Sequence, residues 1–206
     1  DVLARYILDG QQWMVRGRTF DYSAVGREIV RPGKSGGSME RAARLMAELP
    51  GARYDEFMAF AERMKTPAGE QSFSGNRSFW RSDYVAHHRA GYFASVRMAS
   101  NRTLRSEICN QEGKRSHHLA DGVMLLYLRG DEYRDIFPVW DWQRVPGTTC
   151  EQMEWAAKGK VGGKGETAFV GGVSDGECGL AAMDFKRGAL TAKKAWFFFD
   201  DAIVCL

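Results

Sequence analysis

Cysteine is sparse and scattered. Cys109, Cys150, Cys178 and Cys205 form no CxxC pair, which argues against a zinc ribbon or a thioredoxin-type motif. Buried thiols, with at most one disulfide, are the expected state. No stretch reaches the roughly 18 apolar residues that a membrane span needs, so no membrane partner is expected. Basic residues never run five or six together: 29 Lys and Arg stand against 26 Asp and Glu for a net charge of +3. That spread argues against a dedicated nucleic-acid face, while leaving room for local basic patches toward an acidic ligand. No signal-peptide pattern is read in the residues given, and Asp1 opens the chain in place of Met, so any upstream sequence is expected to have been removed or left out.

What is present suffices for a folded protein of one or two domains. The chain has 206 residues, 44% of them hydrophobic, enough for a core and too many for a disordered polypeptide. Residues 1 to 66 read as helical. Val2, Leu3, Tyr6 and Ile7, then Trp13 and Met14, follow a helical spacing interrupted by Gly10. Ser38 suits an N-cap for a helix through Leu49, with Ala42, Leu45, Met46 and Leu49 on one stripe and Pro50-Gly51 as its stop. A second helix carries Tyr54, Phe57, Met58, Ala61 and Met64 until Thr66-Pro67, and so short a turn predicts that the two lie antiparallel.

From residue 72 the period changes to two. Phe79 to Ala86 and Tyr92 to Ala99 alternate as strands around an Arg89-Ala90-Gly91 turn; Val123 to Leu128, Thr167 to Val173, Leu180 to Phe185 and Trp196 to Leu206 follow. The expected class is α+β: a helical part over 1–66, then a large antiparallel sheet system over 67–206. The chain stops inside the apolar run Trp196 to Leu206, and so bare an edge leads to the expectation of a longer parent polypeptide, whose remaining parts would be partners. The densest polar stretch, Ser106-Glu107-Ile108-Cys109-Asn110-Gln111-Glu112-Gly113-Lys114, lies between strands, where function collects more often than packing.

Several ordered motifs carry a resemblance. Phe79-Trp80-Arg81-Ser82-Asp83-Tyr84, Asn101-Arg102-Thr103, Glu107-Ile108-Cys109-Asn110-Gln111-Glu112, Asp121-Gly122 and Trp142-Gln143-Arg144-Val145-Pro146-Gly147-Thr148-Thr149 resemble polysaccharide lyase family 8, which includes hyaluronate, chondroitin AC and xanthan lyases. Phe20-Asp21-Tyr22 with Gly26-Arg27 and Arg31, and Trp196 to Leu206, resemble it too. The resemblance implies the end of an α/α-toroid over 1–66 and the start of an antiparallel β-sandwich over 67–206. It also implies β-elimination on an acidic polysaccharide, without a cofactor, in a secreted or periplasmic enzyme. The family's catalytic His and Tyr, and the Asn facing the substrate carboxylate, would lie upstream of Asp1.

The chemistry says which residues to examine. Removing a proton beside a carboxylate requires neutralising that carboxylate, placing a base and protonating the leaving oxygen. A polyanionic substrate adds a demand for arginines. Arg27 and Arg31, four apart, leave the chain from about the same side whether the segment is helical or extended. Their spacing alone would suit two solvated arginines ahead of Pro32-Gly33. The resemblance gives Arg27 the role of holding the catalytic Tyr and the sugar ring, with Arg31 assisting or touching substrate. It implies Glu107 as the orienting carboxylate, with Glu112 as its rival, and Asn110 as a hydrogen-bonding partner at the cleft. The family usually has Asn where this chain has Gly113.

Arg102 and Arg144 are secondary substrate contacts, and Trp140 and Trp142 are loop tryptophans able to line the cleft. Trp80 and Trp196 read instead as the packed face of a sheet. His87-His88 and His117-His118 read as sheet-surface or turn histidines. Neighbours on a strand face opposite ways, so no metal site is expected.

Overall fold

The computed structural model describes residues 2–33, 39–50, 53–151 and 163–206. It is a mixed α+β architecture with the helices first and the large sheets after them. Helix α1 spans Val2–Leu8, and a 3-10 turn over Gln11–Met14 follows Gly10. A two-stranded ribbon, β1 (Val15–Arg16) with β2 (Thr19–Phe20), interrupts the stretch read as helical. Two further 3-10 turns, Tyr22–Ala24 and Gly26–Val30, bring the chain to Arg31.

Helices α2 (Glu40–Ala47) and α3 (Tyr54–Arg63) lie antiparallel, as the short connection predicts. Arg44 bonds Glu40 at 3.2 Å and reaches Glu62 on the other helix, and Lys65 approaches Glu40 at 3.6 Å. Ser38 and Gly51 lie outside the described residues. The buried stripe of α2 is not the expected one: Ala43 and Ala47 are buried, whereas Leu45 and Leu49 are 54% and 50% exposed. Small residues let the two helix backbones approach, and the larger leucines turn outward. On α3, Phe57, Phe60 and Ala61, with Met64 just beyond, form the core face.

Two four-stranded antiparallel sheets follow. The first is β3 (Gly75–Phe79), β4 (Tyr84–Arg89), β5 (Tyr92–Arg97) and β6 (Val123–Tyr127), in that order. The alternating run from Phe79 to Ala86 is therefore not one strand. It crosses a tight turn in which Ser82 N–H donates to the Phe79 carbonyl and Asp83 takes a φ of +50°. The Arg89-Ala90-Gly91 turn lies where expected, between β4 and β5. The second sheet holds β7 (Val170–Ser174), β8 (Gly179–Arg187), β9 (Leu190–Phe198) and β10 (Ile203–Cys205), in the order β10-β9-β8-β7. β9 starts earlier than its apolar end suggests, because Lys193 and Lys194 sit on the paired strand.

The first sheet is buried on both faces. Val85, Val96 and Met98 pack against Val170, Ala181, Met183, Phe185, Trp196 and Phe198 of the second sheet. Tyr84, Ala86, Phe93, Leu125 and Tyr127 face Tyr22, Ile29, Trp142 and Val145 on the other side. This corrects the reading of His87 and His88 as surface residues: both are buried. They do face opposite ways. The imidazole of His88 stacks on Phe93 and donates to the Trp13 carbonyl at 2.8 Å, and that of His87 donates to the Phe199 carbonyl at 3.0 Å. Trp196 is core as expected, but Trp80 is 64% exposed, because it lies in the β3–β4 turn. Cys109, Cys178 and Cys205 form no disulfide among the described residues, and none of the four cysteines is fully buried, where buried thiols are expected. Among the described residues no helix is long and apolar enough to cross a membrane.

Candidate active site

The segment carrying Arg27 and Arg31 is fastened to the first sheet by one buried carboxylate. Asp21 accepts hydrogen bonds from the Ser23 amide at 3.0 Å, the Ser23 hydroxyl at 2.9 Å, the Tyr84 hydroxyl at 2.5 Å and the Tyr127 hydroxyl at 2.9 Å. Burial, followed by the charge of Asp21, pushes both phenols well above their ordinary pKa, so each keeps its proton and donates. The Tyr127 oxygen also accepts the Tyr22 amide at 2.7 Å, and Arg97 donates to the Ser23 carbonyl. A carboxylate between two aromatics, Phe20 and Tyr22, needs interior partners of this kind. That was the available signal for a residue noted in the sequence only as part of a motif.

Gly26 then turns the chain with a φ of +65°, and a β-carbon there would stand 2.3 Å from Glu107 Oε2. Only glycine allows this approach, which lets Glu107 accept the Arg27 amide at 3.1 Å. Opposite it, Cys109 to Glu112 form a tight turn closed by the Glu112 amide on the Cys109 carbonyl at 2.8 Å. Asn110 and Gln111 occupy its two central positions with φ of +51° and +68°, the mirror-image turn that suits a two-residue hairpin loop and favours Asn. Gly113 follows at φ +78°, where a β-carbon would meet the Glu107 carbonyl at 2.4 Å. Gly113 therefore lets this loop close tightly around Glu107.

The two arginines converge on Glu112. Arg31 gives it a two-pronged contact, Nε to Oε1 at 3.0 Å and Nη2 to Oε2 at 2.8 Å, and its Nη1 bonds Glu28 at 2.9 Å. The hydrogen bond from Arg31 holds the Glu112 carboxyl below its ordinary pKa and raises that of Arg31, so both are charged at neutral pH. The guanidinium of Arg27 lies 3.4 Å from Glu112 and 3.6 Å from Glu107, ion-pair distances at which no hydrogen bond from that guanidinium forms among the described residues. Orientation is therefore divided between the two candidate carboxylates: Glu107 fixes the backbone of Arg27 and Glu112 fixes the side chain of Arg31.

The remaining candidates are placed elsewhere. Asn110 is exposed at its turn beside this cluster. Arg102 bonds buried Asp83 at 2.6 Å, and Asp83 also accepts the Ser100 amide and the Ser100 and Thr103 hydroxyls. Arg144 is exposed and pairs with Asp141 at 3.5 Å. Trp142 is a core residue and not a cleft lining: it is 5% exposed, with its indole N–H donating to the Phe137 carbonyl at 3.0 Å. Trp140 is half-buried, its ring 5.6 Å from Tyr22 and 5.2 Å from Trp142. Hydrophobic burial of these flat rings beneath the Arg27 segment outweighs the exposure that a loop position suggests. Among the described residues, no group of three or more His, Cys, Asp or Glu gathers in a way that could hold a metal ion.

The chain is similar along its whole length to the chondroitinase-AC of Pedobacter heparinus, with 37% identity over 210 residues, covering 30% of that protein. A xanthan lyase of Bacillus sp. is 34% identical over 128 residues, 60% of this chain and 13% of the relative. A solved chondroitinase AC lyase, whose active site was studied with oligosaccharide complexes, superposes with a TM-score of 0.87 at 34% identity, over 99% of this chain and 31% of that one. The Streptomyces coelicolor chondroitin AC lyase in complex with chondroitin sulphate shares the fold, with a TM-score of 0.80 at 24% identity, covering 99% of this chain and 34% of that one. This chain thus spans about a third of the length of these chondroitin AC lyases. The super-sandwich domain of polysaccharide lyase family 8 matches residues 74–206, and the chain belongs to that family.

Proposed function

We propose that this chain is the central part of a lyase that cleaves a uronic-acid-containing polysaccharide by β-elimination, leaving a C4–C5 double bond. A glycosaminoglycan such as chondroitin sulfate or hyaluronan is the substrate, in preference to xanthan, and the enzyme works outside the cytoplasm, where such polymers occur. Residues 1–66 would close an α/α-toroid and residues 67–206 would open a β-sandwich. The supporting observation is the unequal treatment of the two arginines. Arg31 has its Nε, Nη1 and Nη2 committed to Glu112 and Glu28, whereas the Arg27 guanidinium is held by charge and donates no hydrogen bond among the described residues.

Arg27 can therefore face the sugar ring and a catalytic tyrosine supplied by another part of the parent polypeptide. A guanidinium there lowers the phenol pKa, so that the tyrosine takes the C5 proton and returns a proton to the C4 oxygen. Glu107 and Glu112 hold Arg27, Arg31 anchors Glu112, and Asn110 adds a hydrogen bond at the cleft. The 206-residue chain alone, lacking that base, should turn over nothing.

The test is near-ultraviolet absorbance of the unsaturated uronic product, measured with the full-length parent on chondroitin sulfate, hyaluronan and xanthan. A rise on one polymer, cut at least about 100-fold by Arg27→Ala, is expected for loss of a contact made in the transition state. Absence of a rise on all three polymers, from a folded parent, would favour a non-catalytic polysaccharide-binding protein built on the same sheets.

A further inference from the structure

The Arg27–Arg31 cluster is poorly suited to capture a polyanion by charge, because Glu28, Glu107 and Glu112 surround its two arginines. Arginines without carboxylate partners gather in another place. A groove of about 670 Å³ runs between α1 with its C-terminal end and β3 with the β3–β4 turn, lined by Arg5, Tyr6 and Asp9 on one side and by Arg77, Trp80 and Arg81 on the other. This volume is within the span of roughly 300–1,000 Å³ usual for small-ligand clefts. Among the described residues, none of its three arginines makes an ion pair with a carboxylate, and the acid present, Asp9, is already paired with Arg53 at 2.9 Å.

The aromatic surface is equally uncovered: Trp80 is 64% exposed and Tyr6 is 66% exposed. The Arg81 guanidinium lies 4.8 Å from the Trp80 ring centroid, and that of Arg77 lies 5.6 Å from Trp13 and 5.4 Å from Phe79. Rings in this way carry the cations without neutralising them. The turn that presents Trp80 and Arg81 is also rigid. Asp83, at its end, is pinned by Ser100, Arg102 and Thr103, and its carbonyl accepts the Met98 amide at 2.8 Å. Arg102, half exposed, braces this turn through its bond to Asp83.

We propose that this groove binds a segment of an anionic saccharide chain, with a sugar ring stacked on Trp80 and its carboxylate or sulfate groups on Arg5, Arg77 and Arg81. The assignment rests on the acidic-polysaccharide reading above and adds a second binding point, which shares no lining residue with the Arg27–Arg31 cluster. Flat apolar rings beside unneutralised guanidiniums match the two faces of such a polymer, its C–H surface and its anionic groups.

Titration of the 206-residue chain with a purified chondroitin sulfate hexasaccharide at low salt, by calorimetry, tests this directly, with neutral chitohexaose and inorganic polyphosphate as comparison ligands. Trp80→Ala, in an exposed turn, should leave circular dichroism and melting unchanged and weaken hexasaccharide binding about tenfold, without weakening polyphosphate binding. The double variant R77Q/R81Q should weaken both anions, and chitohexaose should bind far more weakly than the hexasaccharide. Hexasaccharide affinity unchanged in Trp80→Ala, or no binding by the folded wild-type chain, would overturn the proposal. Product absorbance from the parent reads the lyase assignment separately. Turnover without Trp80-dependent binding would reject the groove and keep the lyase; Trp80-dependent binding without turnover would do the reverse.

Discussion

Gly26 shows how much of the candidate site depends on a missing side chain. Its positive φ and the 2.3 Å that would separate a β-carbon from Glu107 Oε2 mean that Gly26→Ala both strains the backbone and expels the carboxylate that accepts the Arg27 amide. The expected cost is about 1–2 kcal/mol in chemical denaturation. In the parent, turnover should fall as far for Gly26→Ala as for Glu107→Ala, and the double variant should be little worse than either, since both remove the same hold on Arg27. Independent, multiplying losses would show that Glu107 acts some other way. At this scale the sequence was informative about residue types. The four-residue spacing of Arg27 and Arg31 foretells that they meet, and they do meet on Glu112. The division between Glu107 and Glu112 was illegible, because it depends on a turn made by Asn110 and Gln111 with positive φ, and nothing in a list of carboxylates orders them in space.

Among the elements, α2 supplies the sharpest contrast between pattern and packing. Its leucines form the better stripe on paper, yet Ala43 and Ala47 are the residues pressed against the core. Leu45→Gln and Leu49→Gln should each change the stability of this chain by less than about 0.5 kcal/mol, as surface substitutions do. Ala43→Leu should cost about 1–3 kcal/mol by overpacking. Thermal melts of the three variants check this, and a large loss from Leu45→Gln would contradict the burial seen here. Hydrophobic periodicity finds a helix but not which neighbour lies closest, so the existence of α2 was legible and its buried face was not. The same limit explains β3 and β4. Alternation continues through a tight turn as readily as along a strand, and Asp83, the residue that breaks the run, looks like any outward-facing acid until its partners Ser100, Arg102 and Thr103 are brought to it.

For the molecule as a whole, His87 and His88 join its layers, one bonded to the second sheet and the other to the helical side. Burial drives both pKa values down, His87 to about 4 and His88 well below its ordinary 6.5. The unfolded chain takes up protons at these histidines below about pH 6.5 and the folded chain does not, so stability is fully present above that pH and is lost as pH falls toward the folded values. Between pH 7 and pH 5 stability should therefore fall, with both histidines contributing. Urea unfolding across this range measures it: His88→Gln should start less stable and show a shallower slope, and a flat profile in the wild type would mean that the histidines are open to water. The order of helices then sheets was legible in the change of period; the burial of this pair was not, because two adjacent polar residues on a strand read as surface until both faces of that strand are known to be covered.

The four hydrogen bonds on Asp21 have a mechanical consequence. By position in the chain, Arg27 and Arg31 belong with the helices; by attachment they belong to the sheet, since Asp21 ties their segment to Tyr84 and Tyr127 on β4 and β6. A rigid-body shift of α2 and α3 against the sheets would leave the arginine pair travelling with the sheets. Because α1 shares one core with α2 and α3, the arginine pair would then part from the helices on both sides of it in sequence.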